Sequence, residues 1–164
     1  MRFLQALRQV LSKYADFSGR ARRSELWWWM LAITVASAAL SGVDSALPYP
    51  FLQPTFALLV LVPTGAVGTR RLHDTGRSGW WLAFWFGTLV VAGGVFLLSS
   101  LAALVGLLEL GFGGDSDTGG MVLILGSIGM MLSALALLAT LGWAIVWLAQ
   151  RGEAGPNRFG EAPR

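Results

Sequence analysis

Four apolar runs organise this chain, at about residues 26–47, 51–69, 80–110 and 121–149, with short polar or proline-rich connections between them. A helix rising ~1.5 Å per residue needs ~20 apolar residues to cross ~30 Å of hydrocarbon. Each run is therefore predicted as a membrane-spanning helix. The third and fourth exceed the requirement and are expected to tilt or project beyond the bilayer. Residues 1–16 follow another pattern. Phe3, Leu4, Leu7, Val10, Leu11 and Tyr14 recur at helical spacing, while Arg2, Gln5, Arg8, Gln9, Ser12 and Lys13 fill the opposite face. A basic amphipathic helix beside a span is expected to lie in the headgroup plane, the alternative being a cap packed under the bundle. The predicted fold class is all-α. It is an integral membrane four-helix bundle over residues 17–161, with an N-terminal amphipathic interfacial helix and a tail over residues 150–164.

Local signals refine the spans. Ser24 is the expected N-cap of the first, with Glu25 in its first turn, where the helix dipole favours a carboxylate. Trp27, Trp28 and Trp29 enter at the depth of an aromatic belt, as do Trp80 and Trp81 at the third span; Trp27, Trp28, Trp80 and Trp81 are the expected interfacial anchors. Pro63 removes one backbone hydrogen bond from the second span and predicts a kink. Gly65 and Gly68 after it allow a neighbour to approach closely. Ala38 and Gly42, Ala102 and Gly106, and Gly129 and Ser133 are candidate helix contacts. Residues 111–120, GFGGDSDTGG, read as a flexible acidic hairpin; the Asp115–Asp117 pair lacks the later oxygen ligands of a calcium loop.

Charge then orients the pattern. The twelve Lys and Arg residues fall into three groups: Arg2 to Arg23, then Arg70, Arg71 and Arg77, then Arg151, Arg158 and Arg164. The connections around residues 48–54 and 111–120 hold none. Positive charge prefers the cytoplasmic side, so both termini are expected in the cytoplasm. Composition agrees, with 55% hydrophobic and 13% charged residues. A net charge of only +3, divided among segments that flank apolar runs, offers no continuous basic face for nucleic acid. The absence of Cys excludes disulfides and thiolate metal sites, and one His provides no multi-histidine centre. No metal or cofactor is expected. Arg8 and Lys13 interrupt the N-terminal segment, so it does not read as a cleavable signal peptide.

The densest chemistry lies in Arg70-Arg71-Leu72-His73-Asp74-Thr75-Gly76-Arg77-Ser78-Gly79-Trp80-Trp81, read as the basic connection between spans two and three. A related phrase, Phe17-Ser-Gly-Arg20 with Arg23-Ser-Glu25-Leu-Trp27-Trp28, precedes the first span. A tail of Gly155-Pro-Asn-Arg158-Phe-Gly160 completes the set. Together these blocks, across roughly residues 17–161, resemble the bacterial inner-membrane family known as domain of unknown function 805. The resemblance implies a small multi-pass helical inner-membrane protein and supplies no activity. Leu26 stands where the resemblance leads one to expect an aromatic residue. The outer parts of spans three and four look longer than the family's compact form.

Three readings of the Arg-Arg-Leu-His-Asp block follow from its chemistry. In the structural one, Asp74 pairs with Arg70, Arg71 or an N-terminal arginine, His73 bonds a backbone carbonyl and Ser78 caps span three. In the ligand one, arginines and helix N-termini bind anionic lipid headgroups or another phosphate. In the catalytic one, Asp74 orients His73 as a general base, although no nucleophile accompanies them. The candidate cluster is Arg20, Arg22, Arg23, Arg70, Arg71, His73, Asp74, Arg77 and Arg158, with no catalytic assignment. Asp44 and Glu109 are intramembrane acids of the kind that mark functional sites, but both lie near enough to the outer interface to snorkel or be hydrated, so a proton or ion path is the lesser reading. The leading expectation is a non-catalytic component, an accessory or structural subunit or a lipid-associated protein. Its expected partners are anionic membrane lipids and a membrane complex or a second copy. A small-molecule transporter or channel is one alternative; an enzyme acting on lipid headgroups at the interface is the other.

Overall fold

The computed structural model describes residues 2–163. Among them are five helices: α1 (Phe3–Ser12), α2 (Arg23–Asp44), α3 (Leu52–Asp74), α4 (Trp80–Gly111) and α5 (Ser116–Ala149). The last four are long and apolar enough to cross a membrane, and α1 stands outside that set. The all-α expectation holds. The chain forms two compact units, one running up to Leu82 and resuming at Trp147, the other Ala83–Val146.

In the first unit, α1 packs on α2 and α3. Val10, Ala21, Leu26, Trp29 and Val67 form its core, with Leu7, Ile33, Val60 and Leu148 against them. The apolar stripe of α1 is thereby shared. Ala6 and Val10 are fully buried on the protein, while Leu4 and Leu11 stay exposed. Phe3 meets Trp28 edge-on at 5.6 Å. Trp29 departs from its two neighbours: it is buried, and its indole N–H donates to the Thr64 hydroxyl at 3.0 Å.

Helix α3 continues through Pro63. Proline has no N–H for the carbonyl four residues back, and the Tyr14 hydroxyl donates to that oxygen, Leu59 O, instead. A Cβ at Gly65 would lie 3.6 Å from the Phe17 ring, so the segment after α1 follows α3 closely.

Several boundaries differ from expectation. The N-cap of α2 is Arg22, not Ser24, and it makes no side-chain cap bond. The backbone turns helical as soon as Ala21 N–H has bonded Arg70 O at 3.0 Å, which fixes the entry point upstream of the serine. Residues 70–74, read as a connection, are the last turns of α3. Nothing before Gly76 interrupts the helical pattern. Asp44 turns back to cap α3: Oδ1 accepts from the Leu52 N–H at 3.0 Å and the Phe51 N–H at 3.3 Å, and Oδ2 from Gln53 at 2.6 Å.

In the second unit, α4 and α5 meet backbone to backbone. A Cβ at Gly106 would sit 2.5 Å from Leu123 N, and one at Gly126 2.5 Å from Ala103 N. Gly129 faces Ser99 in the same seam. By contrast, nothing among the described residues lies within 4 Å of a Cβ at Gly42, so Gly42 makes no such close contact. With 32 and 34 residues, α4 and α5 exceed the ~20 needed to cross. The acidic connection is shorter than predicted, because Asp115 starts α5. Its carboxylate accepts from the Asp117 and Thr118 amides, each at 3.3 Å, and from the Thr118 hydroxyl. These bonds, the hydroxyl's foremost, hold the Asp115 carboxyl below its ordinary range.

Candidate functional site at the arginine-rich end

Glycine 76 sets this end of the molecule. With φ +73° it adopts the left-handed conformation that L side chains disfavour. Arg77 N–H then reaches Leu72 O at 3.0 Å and Gly76 N–H reaches His73 O at 3.1 Å. That is the paired bonding of a Schellman stop. Trp81 N–H bonds Ser78 O at 3.3 Å, and the Ser78 hydroxyl lies 3.4 Å from Trp80 N, a long cap of the expected kind.

Adjacent positions on a helix point ~100° apart, so Arg70 and Arg71 serve different neighbours. Arg70, fully buried, places Nη1 2.8 Å from Glu25 Oε1, itself 1% exposed. Its Nε and Nη2 have no partner among the described residues. Arg71, equally buried, binds Asp74 and extends to the end of α5. Its Nε donates to Leu148 O at 2.9 Å and Nη2 to Gln150 O. Those carbonyls have no intrahelical donor, and a guanidinium there also complements the negative end of the helix dipole.

Asp74 receives a second arginine from the N-terminal block. Arg20 donates from Nε to Oδ1 at 3.0 Å and holds Nη2 2.9 Å from the same oxygen, while Arg71 takes Oδ2. Arg20 also collects the tail, donating to Gly155 O at 2.6 Å and to Glu153 O. Gly152 is required here, since a Cβ would collide with the Asp74 carboxylate. Glu153 N–H bonds Asp74 O at 2.9 Å. Asp74 thus joins the chain before α2 and the end of α3 through its carboxylate, and the tail beyond α5 through its backbone carbonyl.

His73 is held by other groups. Nδ1 lies 3.1 Å from Gly19 O, and the ring stacks on Phe159 with centroids 3.9 Å apart and planes 3° apart. Asn157 Nδ2 donates to His73 O at 2.9 Å and to Glu153 Oε2 at 2.7 Å. Asp74, engaged by two arginines, makes no bond to the His73 ring among the described residues. The His73–Asp74 orientation needed for the catalytic reading does not form.

The remaining predicted members sit around this centre. Arg22 Nε contacts Pro163 O and Arg23 Nη1 contacts Ala149 O, both at 3.3 Å. Arg77 lies over the Trp147 ring, 4.1 Å from its centroid, in a cation–π contact. Arg158 reaches Gly76 O at 3.2 Å. Trp27, Trp28 and Trp80 are exposed. Trp81 packs edge-on against Trp147 at 5.0 Å.

Reasoning from sequence missed Glu25 as the partner of Arg70, and missed Gly152, Asn157 and Phe159 as the tail's docking residues. Asn157 and Phe159 belong to the quoted tail motif, which was the available signal. Among the described residues no three or more His, Asp or Glu side chains gather in a metal-binding group.

Residues 14–161, which contain every part of this ion-pair centre, match the family described as Protein of unknown function (DUF805). The chain belongs to this family. Proteins similar to this DUF805 chain include Inner membrane protein YhaI of Escherichia coli (strain K12), 39% identical over 79 residues, 47% of this chain and 67% of the relative. Inner membrane protein YhaH of the same strain is 39% identical over 79 residues, 44% and 65% of the two chains. Uncharacterized protein YiiR, also of that strain, is 32% identical over 93 residues, 56% and 60%. The matches span about two thirds of these relatives or less. No solved structure matches the DUF805 chain. It is a multi-pass membrane protein of unknown function, with four membrane-length helices.

Proposed function

We propose that this protein is a non-catalytic component of the bacterial inner membrane. In this reading it associates through its arginine-rich end with anionic lipids, and through its apolar surface with a larger membrane complex. Both termini face the cytoplasm.

One observation carries the reading. Arginines outnumber carboxylates where α2 begins and α3 and α5 end, and the two buried acids there are engaged internally. Glu25 is held by Arg70, and Asp74 by Arg20 and Arg71. Arg22 and Arg23 have only neutral carbonyl partners among the described residues. Surplus guanidinium charge at the end of membrane-length helices suits anionic headgroups, each basic residue near such a surface contributing about 1 kcal/mol. The names of two relatives, both inner membrane proteins, support the membrane assigned, and the basic grouping supports the orientation.

Extraction of tagged protein into lipid-preserving particles, followed by mass spectrometry, tests the proposal. An anionic lipid or a stoichiometric protein partner is expected to co-purify. Protein recovered alone and without retained lipid counts against it. A reporter fused to the C-terminus that works only outside the cytoplasm would overturn the orientation.

A further inference from the structure

The ion-pair centre is solid, but the space beside it is not. A cavity of about 470 Å³ opens between the start of α2 and the tail, lined in part by Arg22, Arg23, Ser24, Arg71, Asp74 and Glu153. We propose that this cavity binds a phosphoryl group, gripped by Arg22 and Arg23 in front of the buried Arg71–Asp74 pair. The inference rests on the anionic-lipid reading above and gives it a location.

Three features of the lining support it. First, the charges do not balance. Three guanidinium groups line the cavity with two carboxylates, and Arg20 binds the same Asp74 from outside the lining, which leaves two positive charges in excess. Glu153 is turned aside, its Oε2 accepting from Asn157 at 2.7 Å. Second, the two front arginines are available. Arg22 contacts the tail through Nε alone and Arg23 contacts Ala149 O through Nη1 alone, both at the long distance of 3.3 Å. The remaining guanidinium nitrogens have no hydrogen-bond partner among the described residues. A guanidinium fork matches two phosphoryl oxygens. Third, Arg23 and Ser24 in the first turn of α2 line the same space, and no side chain among the described residues caps that helix. Its positive end adds to the arginines' field.

Position also fits. The cavity lies where α2 starts and where α3 and α5 end, and the ends of membrane-length helices are where a bilayer places its phosphates. Arg71 and Asp74 give it a rigid back wall, since both are buried and tied to three chain segments. The same phosphoryl chemistry could come from a lipid headgroup or from a water-soluble phosphate, and the two are separable by experiment.

The test uses the full chain in dodecyl maltoside micelles, which carry no phosphate, comparing wild type with Arg22→Gln/Arg23→Gln. Neither residue belongs to the buried ion pairs, so the variant is expected to fold, as its unfolding temperature in those micelles without added lipid or phosphate checks. Thermal unfolding is then followed with increasing phosphatidylglycerol and, separately, with inorganic phosphate. Stabilisation of wild type by phosphatidylglycerol, at least about tenfold weaker in the variant, assigns the site to a lipid headgroup. Stabilisation by inorganic phosphate, lost in the variant, assigns it to a soluble phosphate. Equal stabilisation of both proteins by phosphatidylglycerol, without an effect of phosphate, overturns the site while leaving lipid association intact. No stabilisation of wild type by either probe overturns both.

Discussion

The Tyr14 hydroxyl donates to the carbonyl oxygen of Leu59, the acceptor that Pro63 leaves empty in α3. A side chain from the segment following α1 thereby repairs the ladder of a membrane-length helix. Where no water is at hand, an unpaired carbonyl is costly, so this bond ties α1 to the bilayer-spanning part of the fold. Tyr14→Phe is expected to destabilise the protein by about 1–3 kcal/mol. In a Pro63→Ala background the backbone amide restored at that position refills Leu59 O, and the same tyrosine substitution should cost far less. A double-mutant cycle on unfolding in detergent checks the coupling; additive effects would show that the hydroxyl does not serve this oxygen.

Asp74 is the common counter-ion of two buried arginines. Asp74→Ala leaves both uncompensated and should cost about 3–5 kcal/mol. The tail is expected to detach with it, because Arg20 loses the group that orients it toward Gly155 and Glu153. Unfolding in detergent, read beside proteolysis of residues after Gln150, tests both consequences.

The Glu25–Arg70 pair behaves differently under double substitution. Glu25→Ala strands a fully buried guanidinium that has only this carboxylate as side-chain partner among the described residues. A loss of about 3–5 kcal/mol is expected. Replacing both by Met removes the charges together and should restore most of it. Equal losses in single and double variants would show that packing, not the uncompensated charge, dominates.

Gly152→Ala introduces a Cβ into the Asp74 carboxylate. The tail must shift, and the Glu153 N–H to Asp74 O bond lengthens or breaks. Faster cleavage of the tail by protease is expected, with the membrane-length helices intact by circular dichroism.

Asp115 links α5 to pH. Its folded carboxyl titrates below the ordinary aspartate value of 3.8 because the ionised form accepts the Thr118 hydroxyl and the two amides. Its contribution is therefore complete above that value and is lost as pH falls through the lower folded one. Amide protection at Asp117 and Thr118 should decline over that acid range in wild type. Asp115→Asn keeps a capping oxygen without a titrating group, and its protection should stay level.

The elements were legible in the sequence because a bilayer reduces folding to length and apolarity. Four runs of sufficient length became four helices, within a few residues of expectation. Errors gathered where local signals compete. Ser24 is a good capping residue, yet a tertiary bond from Ala21 to Arg70 started α2 before it. The block around His73 looked like a loop because it is polar, although only Gly76 has the backbone freedom to end the helix. Asp44 stood out as an intramembrane acid, and its partners turned out to be the amides that open the next helix.

Within the candidate site, the sequence marked the right residues but not their pairing. The basic motif, the lone histidine and the tail motif were all visible, and helical spacing brings Asp74 beside both Arg70 and Arg71. Choosing between them required knowing that Glu25 lies beside one arginine and the end of α5 beside the other. Residue type and period determined, from the chain alone, that this protein is an all-α membrane protein with its arginines gathered in three groups. The tertiary structure decided which charges neutralise one another, that the tail closes over Asp74, and that a tyrosine completes a proline-broken ladder. Apart from the Arg71–Asp74 contact, those choices depend on groups 45 or more positions apart in sequence, for which local pattern carries no signal.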